Sequence, residues 1–322
     1  MKPAILIIGA GAVGLVYGRH FAEVGYPVTF LVKQKHMPKL EKGSILYHLN
    51  KDKKKRNSIH FTNYQLVFDY EDLASTEFEQ VYWCISSPAL QAFNFNDFTP
   101  NLKGSPIQIL LQPHKEDFAI ISQHFKPNQI VEGMISLISY TTPLATETVE
   151  KSGTAYWLPP MMPTPFSGNK QNTKQVVSTF KNSKISAKSV KSVFNEALYP
   201  SAFLATYLTA LEISDWKFSI LQQNNNLLQQ LSKALKEVFA ALSKKHEYSA
   251  PFIFKLISSP NMVKRLMSIA PKLMPMDIET YFEAHFTKVN AQTKLYMNNY
   301  LKTAKSVNAP HQNLEQLIQQ NH

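Results

Sequence analysis

The sequence predicts an α/β fold in which a doubly wound sheet is followed by an all-helical C-terminal domain. Residues 4–8 (AILII) form a continuous apolar run, which is typical of a parallel strand buried on both faces. Further short apolar runs alternate with polar or helical segments, the pattern of an open α/β sheet. From Asn195 onward, apolar residues recur at helical spacing nearly to the end of the chain.

The first 32 residues predict a complete strand–helix–strand unit. A glycine-rich turn follows AILII, Ala12–Val24 form the helix, and Gly25 stands where helices commonly end. Residues 27–32 (PVTFLV) form the second strand. A unit of this kind, about 30 residues long, opens a Rossmann-type sheet.

Later apolar runs extend the predicted sheet. After them the composition of the chain changes to a proline-rich segment and then to helical patterns. Residues 158–168 (LPPMMPTPFSG) carry four prolines and predict a surface loop. Long helices are predicted over 197–213, with Pro200 in the first turn, and over 227–246. The runs assigned to the sheet are residues 65–68, 80–86, 106–111 and 129–139.

We place the domain boundary near residue 188. Residues 1–188 are predicted to form a dinucleotide-binding Rossmann-type domain. Residues 189–322 are predicted to form a helical substrate and dimerisation domain, which leaves a homodimer open. A chain of 322 residues is long enough for two domains with their own cores.

Composition limits the classes of protein that the chain can belong to. The net charge is +11, spread along the chain except for a basic cluster at 51–56 that we interpret as a solvated turn. None of the nucleic-acid-binding motifs is present, so we expect no nucleic-acid partner. No run of 18 apolar residues occurs, so we expect no membrane partner. The single cysteine, Cys84, suits a reducing compartment, and we predict a cytoplasmic location.

The glycine-rich turn is the strongest functional signal. It has the GxGxxG pattern between a strand and a helix. Gly9 permits the tight turn, Gly11 lets the backbone approach a pyrophosphate, and Gly14 lets helix and strand pack closely. The first N–H groups of the helix, at Ala12 and Val13, offer partial positive charge to an anion. The alternative, a glycine-rich turn without a ligand, remains open.

The residues after the second strand indicate which dinucleotide is bound. An NAD-binding fold usually places Asp or Glu there to hold the ribose 2′-hydroxyl. This chain instead has Lys33-Gln34-Lys35-His36, and the next carboxylate is Glu41. Lys33, helped by Lys35, is suited to pair with a 2′-phosphate. We therefore predict NADP(H) in preference to NAD(H).

Residues 2–43 (KPAILIIGAGAVGLVYGRHFAEVGYPVTFLVKQKHMPKLEKG) resemble the start of the ketopantoate reductases (2-dehydropantoate 2-reductases). The shared features are the glycine turn, a G-[HY]-x-V-T strand, a basic residue and H-x-x-x-L-x-x-x-G. The resemblance implies a Rossmann-type domain, a helical domain and an active site between them. It also implies reduction of a 2-keto acid by NADPH, with cofactor roles for Gly9, Gly11, Gly14 and Lys33.

Several positions depart from the pattern of that family. Its V-K-[TA] and Q-N-G segments correspond here to 85–87 and 112–114, which makes Ser86 and Gln112 candidate cofactor contacts. Its general-acid lysine falls near Leu198, its asparagines fall near Ala202 and Thr206, and its substrate-binding glutamate falls within 289–292, where no acid is present. Either the chain is a divergent reductase with relocated catalytic groups, or it is not a ketopantoate reductase.

Four other polar residues are candidates for the catalytic roles that the expected positions cannot fill. On a helix predicted over 283–294, His285, Lys288 and Gln292 share one sector beside an apolar face. Lys288 could bind a carboxylate or donate a proton, His285 could donate a proton, and Gln292 could orient the substrate. His114, in the turn after residues 106–111, is a fourth candidate. The alternative is an ordinary amphipathic helix with polar groups at its border.

We therefore predict an NADP(H)-dependent oxidoreductase that reduces a small 2-keto acid to a 2-hydroxy acid. No cluster of Cys, His, Asp or Glu has metal-ligand spacing, so we expect no metal. A protein of a different class remains open as well. It would bind the dinucleotide without reductase chemistry and would work as a sensor or interaction module.

Overall fold

The computed structural model describes residues 2–50, 56–112, 115–288 and 290–321. The described residues form two compact units. The first takes in residues 2–49, 56–142 and 149–194, and the second is built mainly from residues 195–321. The boundary near residue 188 stays a prediction, and most of the basic cluster at 51–56 lies outside the described residues.

The described residues contain twelve strands and fourteen α-helices. The strands are β1 (Ala4–Ile8), β2 (Val28–Leu31), β3 (Ser44–His48), β4 (Ser58–Phe61), β5 (Gln65–Val67), β6 (Phe78–Trp83), β7 (Ile107–Leu110), β8 (Ile130–Gly133), β9 (Ile138–Thr142), β10 (Gly153–Trp157), β11 (Thr164–Gly168) and β12 (Ala187–Ser189). The helices are α1 (Ala12–Glu23), α2 (Met37–Leu40), α3 (Ser87–Gln91), α4 (Phe95–Phe98), α5 (Lys115–Ile121), α6 (Lys170–Asn182), α7 (Val193–Ile213), α8 (Phe218–Gln223), α9 (Asn225–His246), α10 (Phe252–Ile257), α11 (Pro260–Leu273), α12 (Ile278–Lys288), α13 (Asn290–Ser306) and α14 (Gln312–Gln320).

The first unit is organised by an eight-stranded sheet. Its strand order is β12-β11-β8-β7-β6-β1-β2-β5, and the six strands from β8 to β5 in this order are parallel. β11 runs antiparallel to β8, and β12 lies parallel to β11. The predicted fold class, a doubly wound α/β sheet followed by helices, is confirmed.

Apolar residues on both faces of the sheet explain why its central strands are buried. On one face Phe21 of α1 meets Phe180 of α6, with ring centroids 5.5 Å apart. On the other face Trp83 packs edge-on against Phe98 of α4 at 5.6 Å. Aromatic pairs of this geometry stabilise a core beyond the area they bury. The sheet is therefore covered by helices on both sides, as parallel sheets require.

A second, four-stranded sheet in the first unit was missed by the sequence prediction. Its order is β4-β3-β10-β9, with β3 parallel to β10 and the outer pairs antiparallel. The run at 129–139, predicted as one strand, supplies β8 to the large sheet and the first residues of β9 to this one. In the four-stranded sheet, strands such as β3 and β4 are short and partly polar, so they lack the continuous apolar pattern that identifies a buried strand.

Two predictions about prolines are wrong. Residues 158–168 are not a loop throughout, because Thr164–Gly168 form β11. Pro165 has no N–H to donate, but its carbonyl accepts from the Met134 N–H at 3.3 Å, so the strand keeps that bond. Pro200 does not lie in the first turn of its helix, because α7 already begins at Val193.

The second unit is helical, as predicted. Helix α9 covers the predicted helix at 227–246 and buries Leu231, Leu235 and Val238 along one side. Glu237 on the same helix accepts from the Leu314 N–H at 2.8 Å and so caps the first turn of α14. Within the described residues, no helix is both long and apolar enough to cross a membrane.

Candidate functional site

The large sheet has a topological switch point between β1 and β6. From β1 the chain continues to β2 and β5 on one side, and it then returns to β6 and β7 on the other. Ligands of open α/β sheets bind in the crevice at the carboxyl ends of the strands at such a point. The segments that end β1, β2, β6 and β7 carry every cofactor-binding residue predicted from the sequence.

Two of the three motif glycines are required by packing within the chain. Gly9 has φ +95°, a conformation in which a residue with a side chain would be strained. A Cβ there would also lie 2.7 Å from Ile85 Cγ2. A Cβ at Gly14 would collide with the carbonyl oxygen of Gly9 and crowd Cys84. These glycines let α1 start directly against the ends of β1 and β6.

Gly11 differs from Gly9 and Gly14, because no contact within the described chain requires a glycine at this position. Its φ is −74°, which any residue adopts, and no atom lies within 4 Å of the place a Cβ would take. It is the N-cap of α1 and offers no side-chain cap, while Ala12 and Val13 begin the helix. The first N–H groups of a helix lack intrahelical partners. The open space at Gly11 therefore lies where an anion would meet those groups.

A cationic turn follows β2. Lys33 precedes a single 3₁₀ turn, Gln34–His36, and its carbonyl accepts from the His36 N–H at 2.9 Å. Lys33, Lys35 and His36 are all exposed. A phosphate could therefore approach the lysines without displacing packed side chains.

A side-chain hydrogen bond of Gln112 joins the segment after β7 to the segment after β6. Gln112 follows β7, and its side-chain amide donates to the carbonyl of Ile85, just after β6. The Gln112 Oε1 atom is buried and has no hydrogen-bond partner among the described residues. Ser86 is exposed and is the N-cap of α3, although its side chain makes no capping bond.

Asp117 and Ser87 form a polar contact that sequence reasoning missed. The Ser87 hydroxyl donates to Asp117 Oδ2 at 2.5 Å, which joins the start of α3 to the first turn of α5. Asp117 is 1% exposed, and its Oδ1 has no partner among the described residues. The sequence signal was only an acid in the first turn of a helix, a position that acids favour for local reasons.

His285 and Lys288, two of the predicted catalytic residues, lie on α12. His285 is half-buried, stacked on Tyr281 with ring centroids 5.4 Å apart, and edge-on to Phe286 at 4.8 Å. Burial, and then the nearby charge of Lys288, lower the pKa of His285 below its usual value of 6.5. The imidazole is therefore neutral at pH 7. Lys288 is exposed.

Of the two remaining catalytic candidates, only Gln292 lies among the described residues. Gln292 lies in the first turn of α13, is exposed, and donates to the Tyr296 hydroxyl at 2.6 Å. His114 lies outside the described residues. The structure thus places His285 and Lys288 on one helix and Gln292 at the start of the next described helix.

The positions where the resemblance places the lysine and asparagines of the family are buried in this chain. Leu198 is 9% exposed, and Ala202 and Thr206 are fully buried on α7. The Thr206 hydroxyl donates to the carbonyl of Ala202 at 2.8 Å, within the same helix. None of these side chains can bind a carboxylate or protonate an alkoxide. Among the described residues, no group of three or more His, Cys, Asp or Glu could hold a metal ion.

Comparison with solved structures identifies the class of fold. D-Mandelate dehydrogenase in a ternary structure with NADH and anilino(oxo)acetate superposes with a TM-score of 0.70 at 13% identity, covering 99% of this chain and 97% of that one. A PanE/ApbA family ketopantoate reductase from Ralstonia eutropha JMP134 gives 0.69 at 14% identity, covering 99% and 100%. 2-Dehydropantoate 2-reductase from Geobacter metallireducens GS-15 gives 0.67 at 12% identity, covering 99% and 98%. The chain therefore shares the fold of these three proteins.

The sequence of the first unit resembles one known family. Residues 5–136 match the family model described as ketopantoate reductase PanE/ApbA. The resemblance to ketopantoate reductases is thereby confirmed, and a divergent member of that family fits both the match and the fold. No curated protein matches the chain.

Proposed function

We propose that the chain is an NADPH-dependent reductase that converts a small 2-keto acid to a 2-hydroxy acid. The observation that carries the proposal is Gly11. It is a glycine that the packing of the chain does not require, and it leaves open space at the N-terminus of α1 beside the switch point of the sheet. A dinucleotide pyrophosphate needs that space and those N–H groups.

The residues present fit a bound dinucleotide phosphate. Gly9, Gly11 and Gly14 would admit the pyrophosphate to the N–H groups of Ala12 and Val13. Lys33, with Lys35, would pair with the 2′-phosphate. When bound, the cofactor supplies the hydride for reduction.

Gln112 and Ser86 would lie toward the reacting end of the cofactor. They follow the neighbouring strands β7 and β6, on the side of the switch point opposite β2 and Lys33. Because the amide N–H of Gln112 is already committed to Ile85, its free oxygen would accept a hydrogen bond from the ligand. Gln112 would thereby orient the ligand rather than react with it.

Reduction of a ketone also needs a proton for the developing alkoxide and a cation for the carboxylate of the substrate. We assign these roles to Lys288, as carboxylate binder or proton donor, and to His285, as proton donor. Gln292 would orient the substrate, and His114 is a further candidate donor. The lowered pKa of His285 predicts that its donating form becomes more abundant as the pH falls through that pKa.

NADPH oxidation with a panel of small 2-keto acids tests the enzymatic proposal. Lys288→Ala should lower kcat/KM by about 100-fold or more, because a lost charged contact to substrate costs several kcal/mol. Glu283→Gln, an exposed change on the same helix, is the matched control and should leave the rate within about twofold. For a proton-donating His285, kcat/KM rises below pH 6.5, and this rise disappears in His285→Gln.

A second candidate function is a dinucleotide-binding protein without reductase chemistry. The buried Leu198, Ala202 and Thr206, in place of the polar residues of the family, favour it. Submicromolar NADPH binding with no turnover of any 2-keto acid would support this candidate and would exclude the reductase. For either function we propose a cytoplasmic location, which the single cysteine of the chain supports.

A further inference from the structure

Helices α10 and α11 expose an unusual amount of apolar surface. Twelve large hydrophobic side chains are exposed among the described residues, and six of them lie on these two short helices. Their exposed fractions run from 38% to 77%. Exposed apolar residues that are concentrated on consecutive helices in this way mark an interaction site more often than residues scattered singly do. The six residues are Phe252, Ile253, Leu256, Leu266, Ile269 and Leu273.

On α11 the exposed residues form a stripe that is separate from the buried side. At 100° per residue, Leu266, Ile269 and Leu273 fall within a sector of about 60°. Val263 and Met267 are buried and lie on a different side of the helix. The stripe is therefore not the face that holds α11 to its own unit.

Positive charge accompanies the apolar stripe. Arg265 and Lys272 fall within about 60° of its edge on α11, and Lys255 lies on α10 beside Leu256. The sequence contains no Asp or Glu between Glu247 and Asp277. The surface therefore combines exposed apolar groups with cations in a stretch of chain that contains no acid.

We propose that the α10–α11 surface binds an anionic phospholipid surface. Amphipathic helices that lie in a membrane interface bury an apolar face among the acyl chains and direct Lys and Arg to the phosphates. Long basic side chains reach the headgroups while their stems cover apolar surface. The net charge of +11 adds long-range attraction to an anionic layer.

A second copy of the chain fits this surface less well. A symmetric contact between two copies of the same surface would bring the same basic residues together, and like charges facing each other oppose association. An anionic bilayer matches both the apolar groups and the cations. Adsorption needs no membrane-spanning helix, so this proposal departs from the expectation of no membrane partner, which rested only on the absence of a long apolar run.

Co-sedimentation of the full chain with lipid vesicles tests this proposal. The chain should sediment with phosphatidylcholine vesicles containing about 30% phosphatidylserine, and only weakly with pure phosphatidylcholine, because each basic residue near an anionic surface adds attraction. Raising the salt from about 50 mM to about 500 mM should release it, because surface charges are then screened.

Paired variants locate the binding surface. Phe252→Ser with Leu273→Ser should lower the partition coefficient by about 10-fold or more, since both side chains are exposed and the change removes apolar anchors. Met161→Ser with Leu295→Ser removes two exposed apolar residues elsewhere in the chain and should change the partition coefficient less than about twofold. Arg265→Gln with Lys272→Gln should also cost about 10-fold, whereas the exposed pair Lys233→Gln with Lys236→Gln on α9 should not.

Three outcomes would overturn the proposal. The first is no sedimentation with anionic vesicles. The second is equal loss of binding in the test and control variants. The third is a dimer by sedimentation equilibrium that Phe252→Ser with Leu273→Ser dissociates, since that would assign the surface to a second copy of the chain.

Discussion

The carboxyl edge of the large sheet and the segment around α12 both carry predicted functional residues, but they hold them differently. At the sheet edge, Gly9 and Gly14 are fixed by backbone contacts, and Gln112 is bonded to a neighbouring loop. Around α12, Lys288 is exposed and His285 rests on an aromatic ring. The proposed cofactor site is therefore built into the backbone, whereas the proposed substrate groups are side chains that can be exchanged without disturbing the fold.

The largest expected effect separates two glycines within the turn itself. Gly14→Ala should lower the free energy of unfolding by about 3 kcal/mol or more, because its Cβ would meet the Gly9 carbonyl. Gly11→Ala should change that free energy by less than about 1 kcal/mol, because the loss of a favoured N-cap residue and the lower entropy of the unfolded chain oppose each other. It should nevertheless weaken NADPH binding about 10-fold or more, because the methyl group occupies the space of the ligand. Chemical denaturation and fluorescence titration measure the two quantities.

Loss of stability in Gly11→Ala equal to that in Gly14→Ala would contradict the distinction. Unchanged NADPH affinity in a stable Gly11→Ala variant would remove the main support for the proposed cofactor site.

A second prediction concerns His20, which is held far more firmly than His285. His20 lies on α1 and is 4% exposed, its Nδ1–H donates to the Ser183 carbonyl at 3.2 Å, and Arg19 faces its other nitrogen. Burial first, and then Arg19, lower its pKa to about 4. The unfolded chain binds this proton near pH 6.5, so the contribution of His20 to the free energy of unfolding is complete above pH 6.5. The free energy of unfolding then falls by about 3 kcal/mol as the pH is lowered from 6.5 to about 4.

Urea unfolding between pH 4.5 and 8 measures this dependence. His20→Gln should remove the part of the slope that lies between pH 4.5 and 6.5, whatever its effect on stability at pH 8. His285→Gln should change the slope much less, because that ring is only half-buried. An unchanged slope in His20→Gln would show that other groups cause it.

A smaller effect should distinguish the two serines after β6. Ser87→Ala removes the donor to buried Asp117 and should cost about 2 kcal/mol, as for a buried acceptor left without its partner. Ser86→Ala changes an exposed residue that makes no capping bond and should cost less than about 0.5 kcal/mol. Thermal unfolding of the two variants makes the comparison, and equal costs would contradict it.

The smallest expected effect concerns the cationic turn after β2. Lys33→Ala should raise the Kd for NADPH about 10-fold and leave the Kd for NADH within about twofold, because only NADPH carries the 2′-phosphate. Lys39→Ala, an exposed lysine on α2, is the matched control and should affect neither. Tighter binding of NADH than of NADPH by the unaltered chain would reverse the predicted preference.

Whether a region can be predicted from the sequence depends on how far apart along the chain its interacting residues lie. The GxGxxG turn and helix α9 are marked by residue types that recur within a few positions, so both are visible in the sequence, although Gly9 and Gly14 also pack against Ile85 and Cys84. The second sheet depends on pairing between distant segments, and the Ser87–Asp117 contact depends on how α3 and α5 come together. Local patterns carry no signal for either. The wrong prediction for Thr164–Gly168 has the same origin, because β8 and β12 compensate for Pro165 from outside the segment.

The parallel pairing of β3 with β10 also affects the order in which the chain can fold. Leu46 lies opposite Thr154, and the Tyr47 hydroxyl donates to the Lys151 carbonyl at 2.7 Å. Contacts between such distant residues require closure of a long loop, which slows folding. On the ribosome, β3 must wait for more than one hundred further residues before its partner emerges. A fragment that ends with the family match at residue 136 would therefore lack β10, and with it the sheet that joins the early and late parts of the first unit.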